Sequence, residues 1–261
     1  NLFASLRRII MNKIAIIIPS RLQAERLPNK PLELIDNKEM ILHVYESACK
    51  ANIGEVIVAT PDRAIFDLVV KNGGRASITK KNHSTGTDRV FEVFNNDLNQ
   101  LPEIIINLQG DMPNINPRNI NELVNHMKKK TCDIGTLASD LDFKKDKNDL
   151  NVVKVLAKKN IKKEGFSKAV DFFRAFKKES LNNKIYHHIG IYAFTNKALI
   201  RYVSLKRSTL EIKRNLEQLR AIENDMTINI GYTNFHPLSV DTKNDLKKIR
   251  IIMEKKWKRK K

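Results

Sequence analysis

The sequence predicts an α/β fold built on a parallel sheet, and three apolar runs carry that prediction. Ile14 to Ile18, Glu55 to Thr60 and Glu103 to Leu108 are short hydrophobic segments rich in β-branched residues. This is the pattern of strands covered on both faces. Stretches with helical spacing lie between them, so the front of the chain reads as βαβ units.

Pro19 ends the first strand, and the loop Ser20 to Lys30 follows with three cations, Arg21, Arg26 and Lys30, and no glycine. Loops at the C-terminal ends of inner strands are where open α/β sheets hold ligands. Cations there suit an anion. No G-x-x-x-x-G-K-[ST] is present, so side chains rather than a glycine nest must supply the charge, Arg as a two-point grip and Lys as a point charge. In a chain this basic, three cations in eleven residues also read as ordinary surface.

Met40 to Lys50 has helical spacing, and Arg63 to Lys71 reads as a helix closed by Gly73 and Gly74 before a short strand, Ala76 to Thr79. His83 to Arg89 leads into a helix striped by Val90, Phe91, Val93 and Phe94, with Thr87 as its expected N-cap. Hydroxyls around Gly86 before a helix N-terminus suit a nucleotide or a cap alone. The strand at Glu103 delivers Gln109, Gly110 and Asp111; Gly110 allows close backbone approach, and Asp111 reads as a metal ligand or a turn residue.

Past Cys132, strands are expected at Ile134 to Ser139, Val152 to Ala157, Ile189 to Phe194 and Met226 to Tyr232. A charged, weakly patterned stretch, Lys158 to Lys184, reads as an excursion. Leu210 to Ile222 reads as one helix and Leu246, Ile249 and Ile252 as the stripe of a last one, with Asp241 just before it as a ligand or a cap. The expected organisation is a single domain over 12–256, with 140–187 as a protruding excursion suited to a dimer interface. Residues 1–10 are expected to be a leader or tag-like extension before Met11, and 257–261 a basic tail.

Lys and Arg total 48 against 29 Asp and Glu, a formal charge of +19. A polyanion-binding protein, touching RNA or a membrane surface, is one class this charge suits. The lysines are scattered and not interleaved with aromatics, which favours a solvated surface and no nucleic-acid partner. Two distant cysteines, Cys49 and Cys132, make no disulfide framework and fit a reducing cytoplasm. No apolar run reaches the length of a membrane span, so no membrane insertion is expected.

Six strings are distinctive in combination: Ile18-Pro-Ser-Arg-Leu-Gln-Ala-Glu-Arg-Leu-Pro-Asn-Lys-Pro-Leu32, His83-Ser-Thr-Gly-Thr-Asp-Arg89, Leu108-Gln-Gly-Asp-Met-Pro113, His188-Ile-Gly-Ile-Tyr192, Leu216-Glu-Gln-Leu-Arg220 and Val240-Asp-Thr242. Their order resembles the 3-deoxy-manno-octulosonate cytidylyltransferase (CMP-Kdo synthetase) family over nearly the whole chain. The resemblance implies a three-layer, Rossmann-like nucleotide-diphospho-sugar transferase fold with a central mixed, mostly parallel sheet. It implies CMP transfer from CTP to 3-deoxy-D-manno-octulosonate (Kdo) with release of pyrophosphate, for lipopolysaccharide assembly, with Mg2+ as cofactor and a homodimeric state.

By the same resemblance, Arg26, Lys30, Asp111 and Asp241 are catalytic, and Asp111 and Asp241 hold the metal. Ser20, Arg21, Lys30, Thr85, Gly86, Arg89 and Gln109 bind the nucleotide, and Arg174, His188, Tyr192, Glu217 and Gln218 hold the acid sugar. Met112 replaces the Glu that usually follows the family's Q-G-D. Phe172-Phe173-Arg174 matches the family's F-S-R, Gly165-Phe-Ser-Lys168 competes for that match with Lys168 at the sugar, and the usual Pro-Trp is absent from both. These departures leave an amino-Kdo or sialic-acid-like acceptor as the alternative substrate. Without the resemblance, His188 reads as a packed or capping histidine and Glu217 and Gln218 as a polar helix face.

Overall fold

The computed structural model describes residues 13–98, 101–129, 132–176 and 184–258. The expected leader at 1–10 and residues 259–261 of the basic tail lie outside the described residues. Two compact units result, one running to Ile120 and resuming at Pro237, the other spanning Asn121–His236.

In the first unit, β1 (Ile14–Pro19) is followed by a hairpin, β2 (Leu34–Ile35) and β3 (Lys38–Glu39), then α1 (Met40–Ala51), β4 (Glu55–Thr60), α2 (Arg63–Lys71), β5 (Ala76–Ile78), α3 (Gly86–Asn96), β6 (Ile104–Leu108) and the first residues of α4 (Pro117–Lys129), whose remainder belongs to the second. The hairpin turns on Asp36 and Asn37, both at positive φ, as a two-residue primed turn requires. Strands run in the order β5-β4-β1-β6, all parallel. Ile16, Ile17, Ile18, Ile57, Ile105 and Ile106 are fully buried, each stabilising the fold by about 1.5–3 kcal/mol. Because β1 and β6 are parallel neighbours, the loop after β1 and the turn after β6 leave the same edge of the sheet.

The second unit contains β7 (Ile134–Ser139), α5 (Phe143–Asp146), β8 (Lys154–Ala157), α6 (Ile161–Glu164), β9 (Phe166–Phe173), β10 (Ile185–Thr195), α7 (Asn196–Ser204), α8 (Thr209–Arg214), α9 (Leu219–Glu223) and β11 (Ile228–Tyr232). Its strands pair β10-β7-β11-β9-β8, and β8 pairs again with β10, so the five strands form a closed circuit. Only β7 and β11 are parallel; the other pairs are antiparallel. The chain then returns to the first unit through α10 (Lys243–Lys258).

Four local expectations are corrected. Thr85, not Thr87, caps α3: its hydroxyl accepts from Asp88 N at 3.2 Å and Asp88 Oδ2 accepts from Thr85 N at 2.9 Å. Thr87 is buried instead. The helix expected over Leu210 to Ile222 breaks into α8 and α9 at Asn215, which is left-handed at φ 50°. The weakly patterned stretch after Lys158 contains the eight-residue β9, whose alternation is visible only once Ser167 is counted as an inward residue. Ile252 is 44 % exposed on α10; Leu246 and Ile249 alone of the expected stripe are buried.

Candidate active site

Lys30 marks the centre of the first unit's site. Its Nζ lies 3.0 Å from Asp111 Oδ2 and 3.1 Å from Asp241 Oδ1, and Arg26 Nη2 lies 3.2 Å from Asp241 Oδ2. Four residues from three separate stretches of sequence therefore meet. Burial pulls the Lys30 pKa down, but the two carboxylates outweigh it and hold the ammonium above the ordinary lysine value.

Apolar packing brings these stretches together. Leu27, between the two loop cations, is buried in a cluster with Ile35, Met40, Val240, Leu246 and Ile249, so the loop is pinned beside Asp241. Val240 N donates to Asp111 O at 2.9 Å, tying the two acidic segments directly. Thr242 and Asp245 form a reciprocal cap at the start of α10, and Asp245 Oδ2 also accepts from Asp241 N at 3.3 Å. Gly110 is tight against the end of β1: a Cβ there would meet Pro19 O at 3.2 Å, a contact that only a small shift of β1 or of the turn carrying Asp111 would relieve. Met112, where the family has Glu, is buried in the core, an environment that suits a thioether.

The nucleotide residues lie around the same edge. Ser20 Oγ is buried without a hydrogen-bond partner while its backbone N–H donates to Ala59 O, and such a hydroxyl invites a ligand acceptor or donor. Gln109 Nε2 donates to Asn107 Oδ1 at 2.9 Å and Asn107 Nδ2 donates to Thr87 Oγ1 at 3.1 Å. A Cβ on Gly86 would lie 3.8 Å from Gln109 Oε1, so the α3 N-terminus and Gln109 face each other. Arg21 is exposed. Arg89 is buried, and its guanidinium donates to Thr79 Oγ1, Lys80 O and Lys81 O. Burial and then the charge of Arg21 lower its pKa. Arg89 thereby fastens the segment leading to Thr85.

Two supporting residues were not singled out from the sequence. Asp62 precedes α2 in a capping position, yet its Oδ2 accepts from Leu22 N at 2.8 Å and holds the cationic loop. Asn107 looked like one polar residue in an apolar strand; that lone polar residue was the available signal.

In the second unit, β10 bulges between Ile189 and Tyr192, and Thr136 of β7 fills the irregularity by donating to Ile189 O or Ile191 O, at 3.2 and 2.8 Å. His188 Nε2 lies 2.9 Å from the same hydroxyl, and its ring meets Phe172 edge-on and Tyr192 at a tilt. Burial, with His187 adding to it, lowers the His188 pKa to about 3, so the ring is neutral. The neighbouring His187 contacts Asp146 Oδ2 at 3.1 Å and His236 instead.

Tyr192 is held well above the ordinary phenol pKa by burial and by the charge of Glu217, opposed by Arg174. Those charges bring Arg174 and Glu217 into one electrostatic neighbourhood with Tyr192 and His188. Lys168 is exposed on β9, paired with Asn229, whereas Arg174 lies close enough to Tyr192 for its charge to be felt there. Arg174 Nη1 donates to Leu150 O and Asn151 O. Glu217 O accepts from Tyr202 OH at 2.7 Å. Gln218 is buried at the start of α9. A salt bridge between buried Arg220 and Glu211 folds α9 against α8 and sets the Leu216–Gln218 turn.

Two carboxylates and a cationic loop at the C-terminal edge of a parallel sheet, beside a partnerless hydroxyl, define the class: a nucleotidyltransferase. Residues 15–228 match the family model described as Cytidylyltransferase. A 3-deoxy-manno-octulosonate cytidylyltransferase of Bartonella tribocorum is 41 % identical over 239 residues, covering 91 % of this chain and 97 % of that protein. One from Rhizobium etli is 37 % identical over 244 residues, covering 93 % and 96 %. A solved structure described as CMP:2-keto-3-deoxy-manno-octonic acid synthetase complexed with CTP superposes with a TM-score of 0.84 at 33 % identity, covering 94 % of this chain and 99 % of that one. The chain belongs to the 3-deoxy-manno-octulosonate cytidylyltransferase family.

Proposed function

We propose that this chain transfers CMP from CTP to Kdo, releasing pyrophosphate and supplying activated Kdo for lipopolysaccharide assembly. The observation that carries the reading is the meeting of Lys30 and Arg26 with Asp111 and Asp241, in a chain whose relatives bear that name. Nucleotidyl transfer needs no protein nucleophile. The anomeric hydroxyl of the sugar attacks the α-phosphorus in line, the P–O bond to the β-phosphate breaks, and the hydroxyl proton leaves to solvent. Arg21, Arg26 and Lys30 neutralise the triphosphate and the departing pyrophosphate. The Ser20 hydroxyl, the α3 N-terminus from Thr85 to Gly86, and Gln109 orient the nucleotide, with Arg89 holding their loop.

The residues fit Mg2+. Both carboxylates reach one cation position, now taken by the Lys30 ammonium, and their ligand atoms are the hard oxygens Mg2+ prefers. Among the described residues no cluster of three or more His, Cys, Asp or Glu forms a metal cage. Mg2+ commonly takes one or two protein carboxylates and completes its shell with substrate phosphates and water. Asp111 and Asp241 would hold the Mg2+, which when bound neutralises phosphate charge and acidifies the attacking hydroxyl.

Arg174 pairs with the sugar carboxylate, while neutral His188, protonated Tyr192, Glu217 and Gln218 hydrogen-bond its hydroxyls. A homodimer is part of this reading. Phe143, Leu150 and Val170 expose apolar side chains within 140–187, which supports placing its interface there. No described helix is long and apolar enough to cross a membrane. The test is pyrophosphate release from CTP and Mg2+ with Kdo, without acceptor, and with an amino-Kdo or N-acetylneuraminate. Kdo-dependent release supports the reading; turnover only with another acid sugar moves the acceptor, and silence with all of them removes the assignment.

A further inference from the structure

Lys30 sits where two cations compete. An ammonium ion and a hard divalent cation seek the same carboxylate oxygens, and Lys30 Nζ already touches one oxygen of Asp111 and one of Asp241. Its side chain is 15 % exposed against 23 % and 36 % for the two partners, so water screens the contact only in part. The backbones behind the acids are joined by the Val240 to Asp111 hydrogen bond and capped by Asp245, contacts that involve no cation. Lys30 is the adaptable member, a point charge on a flexible stem, rising from the turn after left-handed Asn29.

We propose that Lys30 is an internal counter-ion for the carboxylate pair. It occupies their shared cation position in nucleotide-free protein and moves onto phosphate oxygens when CTP arrives, so that the divalent cation enters with the nucleotide and not before it. This inference rests on the reading of Asp111 and Asp241 as metal ligands. The consequence follows from linkage: a cation binding the free protein must first displace the ammonium, and what opposes its entry is removed when Lys30 has another partner. Arg26, on the other oxygen of Asp241, adds to the opposition.

The experiment titrates Mn2+ into nucleotide-free protein and follows the free-ion electron paramagnetic resonance signal. Wild type is compared with Lys30→Met, Lys30→Gln and the double variant Lys30→Met/Asp111→Asn, with circular dichroism confirming the fold of each. Lys30→Met and Lys30→Gln are expected to bind Mn2+ roughly tenfold tighter than wild type, and the double variant to lose that gain. Asp111-dependent binding that is no tighter in the Lys30 variants overturns the counter-ion inference and leaves the metal site standing. Binding that persists unchanged in the double variant, or no binding to any protein, overturns the metal-ligand reading and the inference with it. Should the Lys30 variants not fold, wild type with 15N-labelled lysine gives the answer: Mg2+ must shift the Lys30 ammonium resonance on binding, and an unmoved resonance at saturating Mg2+ overturns the inference.

Discussion

The ammonium of Lys154, fully buried, donates to the backbone carbonyl of Arg174 at 2.7 Å and to that of Asp149 at the same distance. Arg174 in turn donates to Leu150 O and Asn151 O. The segment before β8 and the end of β9 are thus cross-tied by one buried cation and one half-exposed one. Burial lowers the Lys154 pKa, Asp149 and Asp146 push it up, and the net direction is down.

Lys154→Met removes that tie, taking the ammonium from Arg174 O and leaving Asp149 O with Val152 N alone. The expected stability loss is about 1–3 kcal/mol for the lost donation, read as a lower urea midpoint. Because the tie sets the backbone of Arg174, the KM for Kdo should rise roughly tenfold while the KM for CTP stays near wild type. Equal changes in both constants would show that Lys154 has only a general structural role.

Arg220→Met tests the hinge behind Glu217 and Gln218. Glu211 is fully buried and accepts from Arg220 Nε at 2.9 Å and Nη2 at 2.7 Å, with Arg207 Nε at 3.0 Å on the same carboxylate. Burial opposes the charged form of Glu211, and Arg220 and Arg207 overcome it, so its pKa is lowered. Removing the guanidinium leaves the buried carboxylate only partly compensated, by Arg207 and the Ser208 N–H, at a cost of up to about 3–5 kcal/mol in urea unfolding. The double variant Arg220→Met/Glu211→Gln should recover part of that loss, since the partly compensated charge is gone; no recovery would count against the charge argument.

These two networks also show what was legible in sequence. Hydrophobic runs placed β1, β4 and β6 because burial on both faces is written into consecutive residues such as Ile16 to Ile18. Lys30, Asp111 and Asp241 were visible as charged residues at strand or helix boundaries, but their meeting depends on pairing across 81 and 211 residues, which no local pattern encodes. Lys154 could not be found at all: its only signal is a lysine inside a short apolar run, the same signal a solvated edge residue gives. The break at Asn215 was missed because the apolar spacing of Leu216, Leu219 and Ile222 continues the helical period in number while the chain reverses at a left-handed residue.

Thr87→Val addresses the nucleotide side. Thr87 Oγ1 accepts from Asn107, whose Oδ1 accepts from Gln109, so this chain fixes which way the Gln109 amide points. Valine keeps the volume and deletes the acceptor, leaving Asn107 Nδ2 buried and unpaired for about 1–3 kcal/mol. Gln109 then loses its fixed orientation, and the KM for CTP should rise about five- to tenfold with the KM for Kdo unchanged. An unchanged CTP constant in a folded variant would separate Gln109 from nucleotide binding.

Acid stability follows from the second unit's histidines. His188 is lowered to about 3 by burial and then by His187, and His236 to about 4 by burial and His187, with Asp146 opposing. His187 is lowered by burial and Lys154, with Asp146 and Asp149 pushing back. Packed around them are Thr136, Phe172 and Tyr192 at His188 and Ser139 at His236. Each ring has an unfolded pKa near 6.5 and a lower folded one, so between those values the unfolded chain binds more protons than the folded protein. Stability from the neutral rings is therefore complete above about pH 6.5 and is lost as pH falls toward the folded values, by up to about 1.4 kcal/mol per pH unit for each histidine. Urea unfolding between pH 7.5 and 5.0, above the main carboxylate range, should show this decline. His236→Asn removes one titrating group, and its slope over the same window should be shallower than wild type. Parallel slopes would mean that His236 takes up its proton equally in the folded and unfolded states and that burial does not hold it neutral.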